Sequence, residues 1–239
     1  SSKWISTGIS KGGETVLIYK SKYPYDVAVA VPYVAPLIDT QEDPRTAMHI
    51  NTVGSDSCRA KITKFQRLVL ENREAVLEEI SSYAEAKGMN FTELSTEEAL
   101  EYAVLEFPFS FWQWGGDCNA IPNENATPKV LFETINDIVG ISFYNDKTYY
   151  ELLPSYYQHM TELGYYGFDT TPVKDLIKVV HKPTNLRFAP KNVDLTFNSD
   201  YIKEVREYVE NRGNKILYIY GEYDTWGACA PQPQSHVNA

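Results

Sequence analysis

Two kinds of hydrophobic pattern alternate along this chain. Residues 3–7 (KWIST) read as a short strand. Residues 11–23 place Val16, Leu17, Tyr19, Lys20 and Tyr23 at helical spacing with one apolar face. Residues 27–31 (VAVAV) form a continuous apolar run of strand length, as expected of a parallel strand buried on both faces. Strand, helix and strand in that order predict a βαβ unit.

From Pro36 the pattern becomes helical. Residues 56–88 carry Ile62, Phe65, Leu68, Val69, Val76, Leu77 and Ile80 near helical spacing and predict one long helix or two. Thr96-Glu97-Glu98 opens another helix that Pro108 is expected to stop. An aromatic loop over 109–118 should follow, then helices over 127–140, 148–164 and 172–180, the last opened by Pro172. Residues 36–190 contain no convincing strand. Sheet character returns after them: a helix over 198–211, capped by Asn198 or Ser199 and ended by Gly213, then the apolar run Ile216–Tyr220. The predicted fold class is α/β. It comprises a partial parallel sheet of the α/β-hydrolase kind, in residues 1–35 and 191–239, and a large all-helical cap insertion over 36–190.

Composition narrows the partners. Lys and Arg number 22 against 32 Asp and Glu, a net charge of −10 that argues against nucleic-acid binding, which needs a basic patch. No apolar run approaches the length of a membrane span. Three cysteines without a CxxC pair suggest neither zinc nor a disulfide scaffold, and leave room for one bridge and one free thiol. No metal or other cofactor is expected.

Gly8-Ile9-Ser10-Lys11-Gly12 fits G-x-S-x-G between a predicted strand and a predicted helix, the context of a nucleophile elbow. So tight a turn strains the serine backbone and needs small neighbours, which Gly8 and Gly12 supply. Ser10 is therefore the expected nucleophile, and the Lys11 backbone N–H, at the helix start, the expected oxyanion donor. Asp224 lies just past the run 216–220, where the acid of a Ser…Asp…His order belongs, with Glu222 a weaker competitor. The base is not evident. His49, His159 and His181 precede Asp224, and His236 follows it by too few residues for a crossover and another strand. Only three sheet strands are predicted, too few to bury both faces of a parallel sheet. The expectation is a fragment of a larger enzyme, inactive alone, with its histidine beyond residue 239.

The segments Gly8-Ile9-Ser10-Lys11-Gly12-Gly13, YPYDVAVAVPYVAPL, VGSDSCRAKITKFQRLVL, FPFSFWQWG, YYQHMTELGYYGFD and ILYIYGEYDTW together resemble the secreted prolyl tripeptidyl aminopeptidases. These are serine peptidases related to lysosomal prolyl-X carboxypeptidase. The resemblance implies an α/β-hydrolase core under a helical cap, a peptide substrate, and release of short peptides from a free amino terminus after proline. It matches Ser10 to the nucleophile and Asp224 to the acid, and implies a secreted or periplasmic address. In the cap, Trp112, Trp114, Tyr156 and Tyr157, with Tyr165 and Tyr166, are candidates to pack against a proline ring. Glu106 or Glu162 are candidates for the substrate's amino group. Because the related enzymes are secreted, Cys58 and Cys118 are expected to form a disulfide. An esterase or lipase on the same fold, or a non-catalytic scaffold, remain alternatives, since fold does not fix substrate. Oligomeric state is not legible.

Overall fold

The structure, a computed structural model, describes residues 3–237. In chain order its elements are β1 (Ile5–Ile9), α1 (Lys11–Lys22), β2 (Val29–Tyr33), β3 (Glu42–Asp43), α2 (Arg45–Ile50), α3 (Asp56–Glu71), α4 (Arg73–Lys87), α5 (Thr96–Gln113), α6 (Pro128–Ile138), α7 (Asp146–Gln158), β4 (Tyr165–Tyr166) and α8 (Asp200–Asn211). They fall into two compact units. The first holds Ser1–Thr46, Gln158–Tyr166 and Val193–Ala239, and the second holds Ala47–Tyr157 and Gly167–Asn192. The chain is thus α/β, with most helices in the second unit.

In the first unit β1 pairs in parallel with β2, from Ile5 opposite Val29 to Ile9 opposite Tyr33. Residues 215–219 flank β2 on its other side. Ala30 N–H donates to Lys215 O, Leu217 N–H to Ala30 O, Ile219 N–H to Pro32 O and Val34 N–H to Ile219 O, at 2.8–3.2 Å. The predicted run 216–220 therefore lies in the sheet. The first two strands begin two residues later than their hydrophobic runs suggest. Helix α1 ends at Tyr23, where the buried Lys20 ammonium donates to Pro24 O and Val27 O and shapes the turn toward β2.

Leu17 of α1 and Ile202, Val205 and Val209 of α8 bury one sheet face together with Ala30 and Ile216. Ile5, Ile9 and Leu217 remain 64%, 69% and 56% exposed, so the strands are covered on one face and not on both as the apolar run predicts. Residues 36–190 also contain strand, contrary to the sequence pattern. β3 and β4 pair in parallel, Glu42 with Tyr165 and Asp43 with Tyr166, a ladder too short to leave any periodicity. The last predicted turns of the helix over 148–164 are a π turn at His159–Leu163, closed by Gly164 N–H on His159 O. Asn198, not Ser199, supplies the side-chain acceptor at the start of α8, taking the Asp200 N–H.

In the second unit α3 to α6 enclose a core around Phe65, Val69, Ile80, Leu100, Phe107, Leu131 and Ile135. Their starts follow capping chemistry. Ser55 and Thr127 accept the amide three residues on, and Ser95 with Glu98 forms a capping box. Pro108 does not stop α5, which runs on to Gln113 and makes helical what the sequence reads as loop. A proline there removes one amide and strands the carbonyl of Val104. The buried Gln66 fills the gap, its Nε2 donating to Val104 O at 2.7 Å.

The predicted helix over 172–180 is only a 3-10 turn at Thr171–Val173. The amides of Lys178, Val179 and Val180 bond instead to the buried carboxylate of Glu101, which also takes a 2.5 Å bond from Arg73. A side chain remote in sequence replaces the helical acceptors. Cys58 and Cys118 are bridged, with Cα atoms 5.5 Å apart, as expected. Closing a 60-residue separation stabilises by roughly 4 kcal/mol in the chain-entropy picture. Cys229 is a buried free thiol.

Candidate active site

Ser10 stands between the last residue of β1 and the first of α1 with φ 55° and ψ −124°. A non-glycine residue at positive φ is strained and persists only where its surroundings hold it. Here Ser10 N–H donates to Tyr33 O at 2.9 Å, and Ser10 O accepts from Glu14 N–H at 2.9 Å, pinning the residue to sheet and helix at once. A side chain at Gly8 would place its Cβ 2.3 Å from Gly12 O, and one at Gly13 would lie 2.7 Å from Tyr33 O. At Gly12 a Cβ would meet nothing within 4 Å. The steric requirement thus falls on Gly8 and Gly13; the sequence motif assigns it to Gly8 and Gly12. Lys11 opens α1, and the leading amides of a helix point outward from its first turn with the positive end of the dipole.

Glu14, one turn into α1, is 2% exposed. Burial pushes its carboxyl well above the usual range, opposed by the Lys11 charge. Lys11 is itself lowered by burial, opposed by Glu14.

Asp224 follows segment 215–219 and leads the 3-10 turn Thr225–Cys229, with Trp226 N–H donating to its Oδ1 at 2.9 Å. Ser10 and Asp224 both lie past the carboxyl ends of parallel strands with β2 between, within the first unit. Trp226 is buried, its ring centroid 5.4 Å from that of Tyr165 and 5.8 Å from that of Tyr166.

His159 also belongs to the first unit, although its sequence position suggests the helical block. Its ring packs, tilted, against Tyr165 with centroids 4.5 Å apart, and its Nδ1 lies 3.0 Å from Gly164 O. Nδ1 therefore carries the proton and donates, and Nε2 is the acceptor. Burial, then the Lys11 charge, push its pKa down to about 4 against the Gly164 bond. So weak a base is poorly matched to proton abstraction near neutrality. No motif flags His159; only its aromatic surroundings in YYQHMTELGYY hint that it is buried. His236 is exposed, with Nε2 2.9 Å from the carbonyl of Asn211, the last residue of α8. Asn211 precedes a segment parallel to β1, so His236 lies toward the end of the sheet opposite Ser10.

Trp112, Trp114, Tyr156 and Tyr157 all lie in the second unit. Trp112 is buried and Tyr156 packs against the core ring of Phe188 at 5.3 Å, whereas Trp114 and Tyr157 are 68% and 45% exposed. Glu106, near Tyr156, accepts the Ser110 hydroxyl at 2.9 Å. Among the described residues no cluster of His, Cys, Asp or Glu could hold a metal ion, and no helix is long and apolar enough to cross a membrane.

The first unit is a parallel α/β unit whose strand-to-helix turn holds a strained serine between tightly packed glycines. The model of the PS-10 peptidase S37 family matches residues 1–232, and the chain belongs to that family. It is 30% identical over 229 residues to the prolyl tri/tetrapeptidyl aminopeptidase of Streptomyces mobaraensis, covering 93% of this chain and 48% of that relative. The chain thus spans about half the length of the curated relative it matches. No solved structure matches it.

Proposed function

We propose that this chain carries the nucleophile and the acid of a serine peptidase that releases short peptides from the amino terminus, cleaving after proline. The observation that carries the reading is Ser10 at φ 55° in the turn between β1 and α1, in a member of a peptidase family. In this reading the Ser10 hydroxyl attacks the scissile carbonyl, and the Lys11 N–H takes part in binding the oxyanion, helped by the helix dipole. Asp224 holds the imidazole of a third residue and stabilises its charged form. That histidine comes from sequence outside these 239 residues. His159 is buried with a depressed pKa, and His236 is engaged with Asn211, which supports this.

The proposed substrate class rests on the relative, whose name states prolyl tri/tetrapeptidyl aminopeptidase. In the proposed α/β-hydrolase arrangement residues 36–190 supply the helical cap, apart from 36–46 and 158–166, which fold with the serine's unit. The open rings of Trp114 and Tyr157 suit a proline face, with Trp112 and Tyr156 packed into the same unit. The Cys58–Cys118 bridge supports a secreted or periplasmic address, because disulfides persist in oxidising compartments.

The test has two arms on the full-length protein. A fluorophosphonate probe should label Ser10, located by peptide mass spectrometry, and Ser10→Ala should abolish labelling. A panel of amino-terminally free peptides with proline at successive positions, set against short esters, should show release of short peptides ending in proline. Labelling at another residue, or turnover of esters alone, refutes the reading. The isolated 239-residue chain should hydrolyse none of them above its Ser10→Ala background.

A further inference from the structure

The turn that presents Asp224 is short and begins after an exposed segment. Gly221, Glu222 and Tyr223 are all exposed, and Asp224 is half-buried. Backbone bonds within the turn, Asp224 N–H to Gly221 O at 3.3 Å and Gly227 N–H to Asp224 O at 2.9 Å, fix its curvature but not its place in the fold. Its most deeply packed aromatic anchor is Trp226, 5% exposed, whose indole packs against the neighbouring rings of Tyr165 and Tyr166, 5.4 and 5.8 Å away and 4.7 Å from each other. Those two tyrosines are held in turn. They form β4 against β3, Tyr165 N–H donates to Gln41 O at 3.1 Å, and the His159 ring packs, tilted, against Tyr165. Gly164 at φ 70° lets that segment close onto Ile38 and Thr40, where a Cβ would sit 2.3–2.4 Å from Ile38 Cγ2 and Thr40 O. A run of tilted ring contacts from His159 through Tyr165 to Trp226 thus ties the acid's turn to a tightly packed segment.

We propose that Trp226 is a positioning residue for the triad acid, its buried indole anchored against the Tyr165 and Tyr166 rings so that its backbone N–H stays on Asp224 Oδ1 and fixes the carboxylate's orientation. This rests on the reading of Asp224 as the acid. The physical reason is geometric. One oxygen of a carboxylate that accepts a fixed backbone bond can turn only about that bond, so the second oxygen is aimed. A turn released from its anchor loses that aim, and misplacement of about 1 Å in a catalytic group costs up to ~100-fold in rate. A misaimed carboxylate also stabilises the imidazolium less, which lowers the base's apparent pKa.

The experiment uses the full-length protein and the rate of Ser10 phosphonylation by a fluorophosphonate, measured against pH and normalised to sites labelled at completion. That readout needs no peptide substrate and so stands apart from the proline preference. Asp224→Asn supplies the reference loss. Trp226→Ala should slow phosphonylation about tenfold or more and move the acidic limb of the profile to lower pH, with Trp226→Phe recovering most of the rate. A merely structural role would lower the number of labelled sites and leave the limb in place. If Trp226→Ala does not fold, Tyr165→Leu, which removes one of the two rings that the indole packs against, decides: the same downward limb shift upholds the role, and an unmoved limb overturns it. A large loss in Asp224→Asn with wild-type rate and limb in Trp226→Ala overturns the positioning role alone. Wild-type behaviour of Asp224→Asn overturns the acid assignment and the positioning role with it.

Discussion

The bond between Gln66 and the carbonyl that Pro108 strands can be measured as an interaction energy. In Gln66→Leu the shape is nearly kept but the 2.7 Å bond to Val104 O is lost, leaving a buried carbonyl unsatisfied. That should destabilise by about 1–3 kcal/mol. Pro108→Ala restores an amide at position 108 that can bond Val104 O within the helix and removes the ring that crowds it. On that background the amide of Gln66 is redundant, so Gln66→Leu should cost close to nothing. The double-mutant cycle should therefore return a coupling of about 1–3 kcal/mol between two side chains that do not hydrogen-bond each other. Urea unfolding of the four proteins, followed by far-ultraviolet circular dichroism, gives the numbers. An equal cost of Gln66→Leu on both backgrounds refutes the account of why α5 continues past its proline.

Two further outcomes follow from buried titratable groups. The His159 pKa is depressed, from an ordinary 6.5 to about 4, so the unfolded chain binds the proton first and stability falls as pH drops through that window. The loss should be about 1 kcal/mol at pH 5.5 and roughly 2–3 at pH 4.5, and His159→Phe should flatten that part of the stability–pH curve; an unchanged slope counts against it. Burial works against the ionised form of Glu101, but the amides of residues 178–180 and Arg73 outweigh it and hold its pKa below the ordinary 4.5. Its contribution is therefore present above pH 4.5 and lost as pH falls further. Glu101→Ala should destabilise by about 3–5 kcal/mol at pH 7, seen as a lower urea midpoint and faster hydrogen exchange at residues 178–180.

What the sequence determined by itself is whatever rests on neighbours in the chain. Glycine spacing and the flanking runs placed Ser10 at a strand-to-helix turn, because backbone sterics there are local. The start of α5 at Thr96 and the helical spacing of Phe65, Val69 and Ile80 were legible for the same reason. Tertiary structure decided what depends on partners remote in sequence. Gln66 carries α5 through Pro108 from 42 positions away, and Glu101 unmakes a helix over 172–180 by offering its amides a better-placed acceptor. Gly13 rather than Gly12 faces the tight contact because β2 passes there, 20 residues on. His159 joins the serine's unit because two-residue strands, too short for any period, bring its segment back to residues 41–43. Trp226 and Tyr165 meet across 61 positions, and no spacing within either segment encodes that contact. A buried polar group must find a partner wherever the fold supplies one, and a local pattern cannot say where that will be.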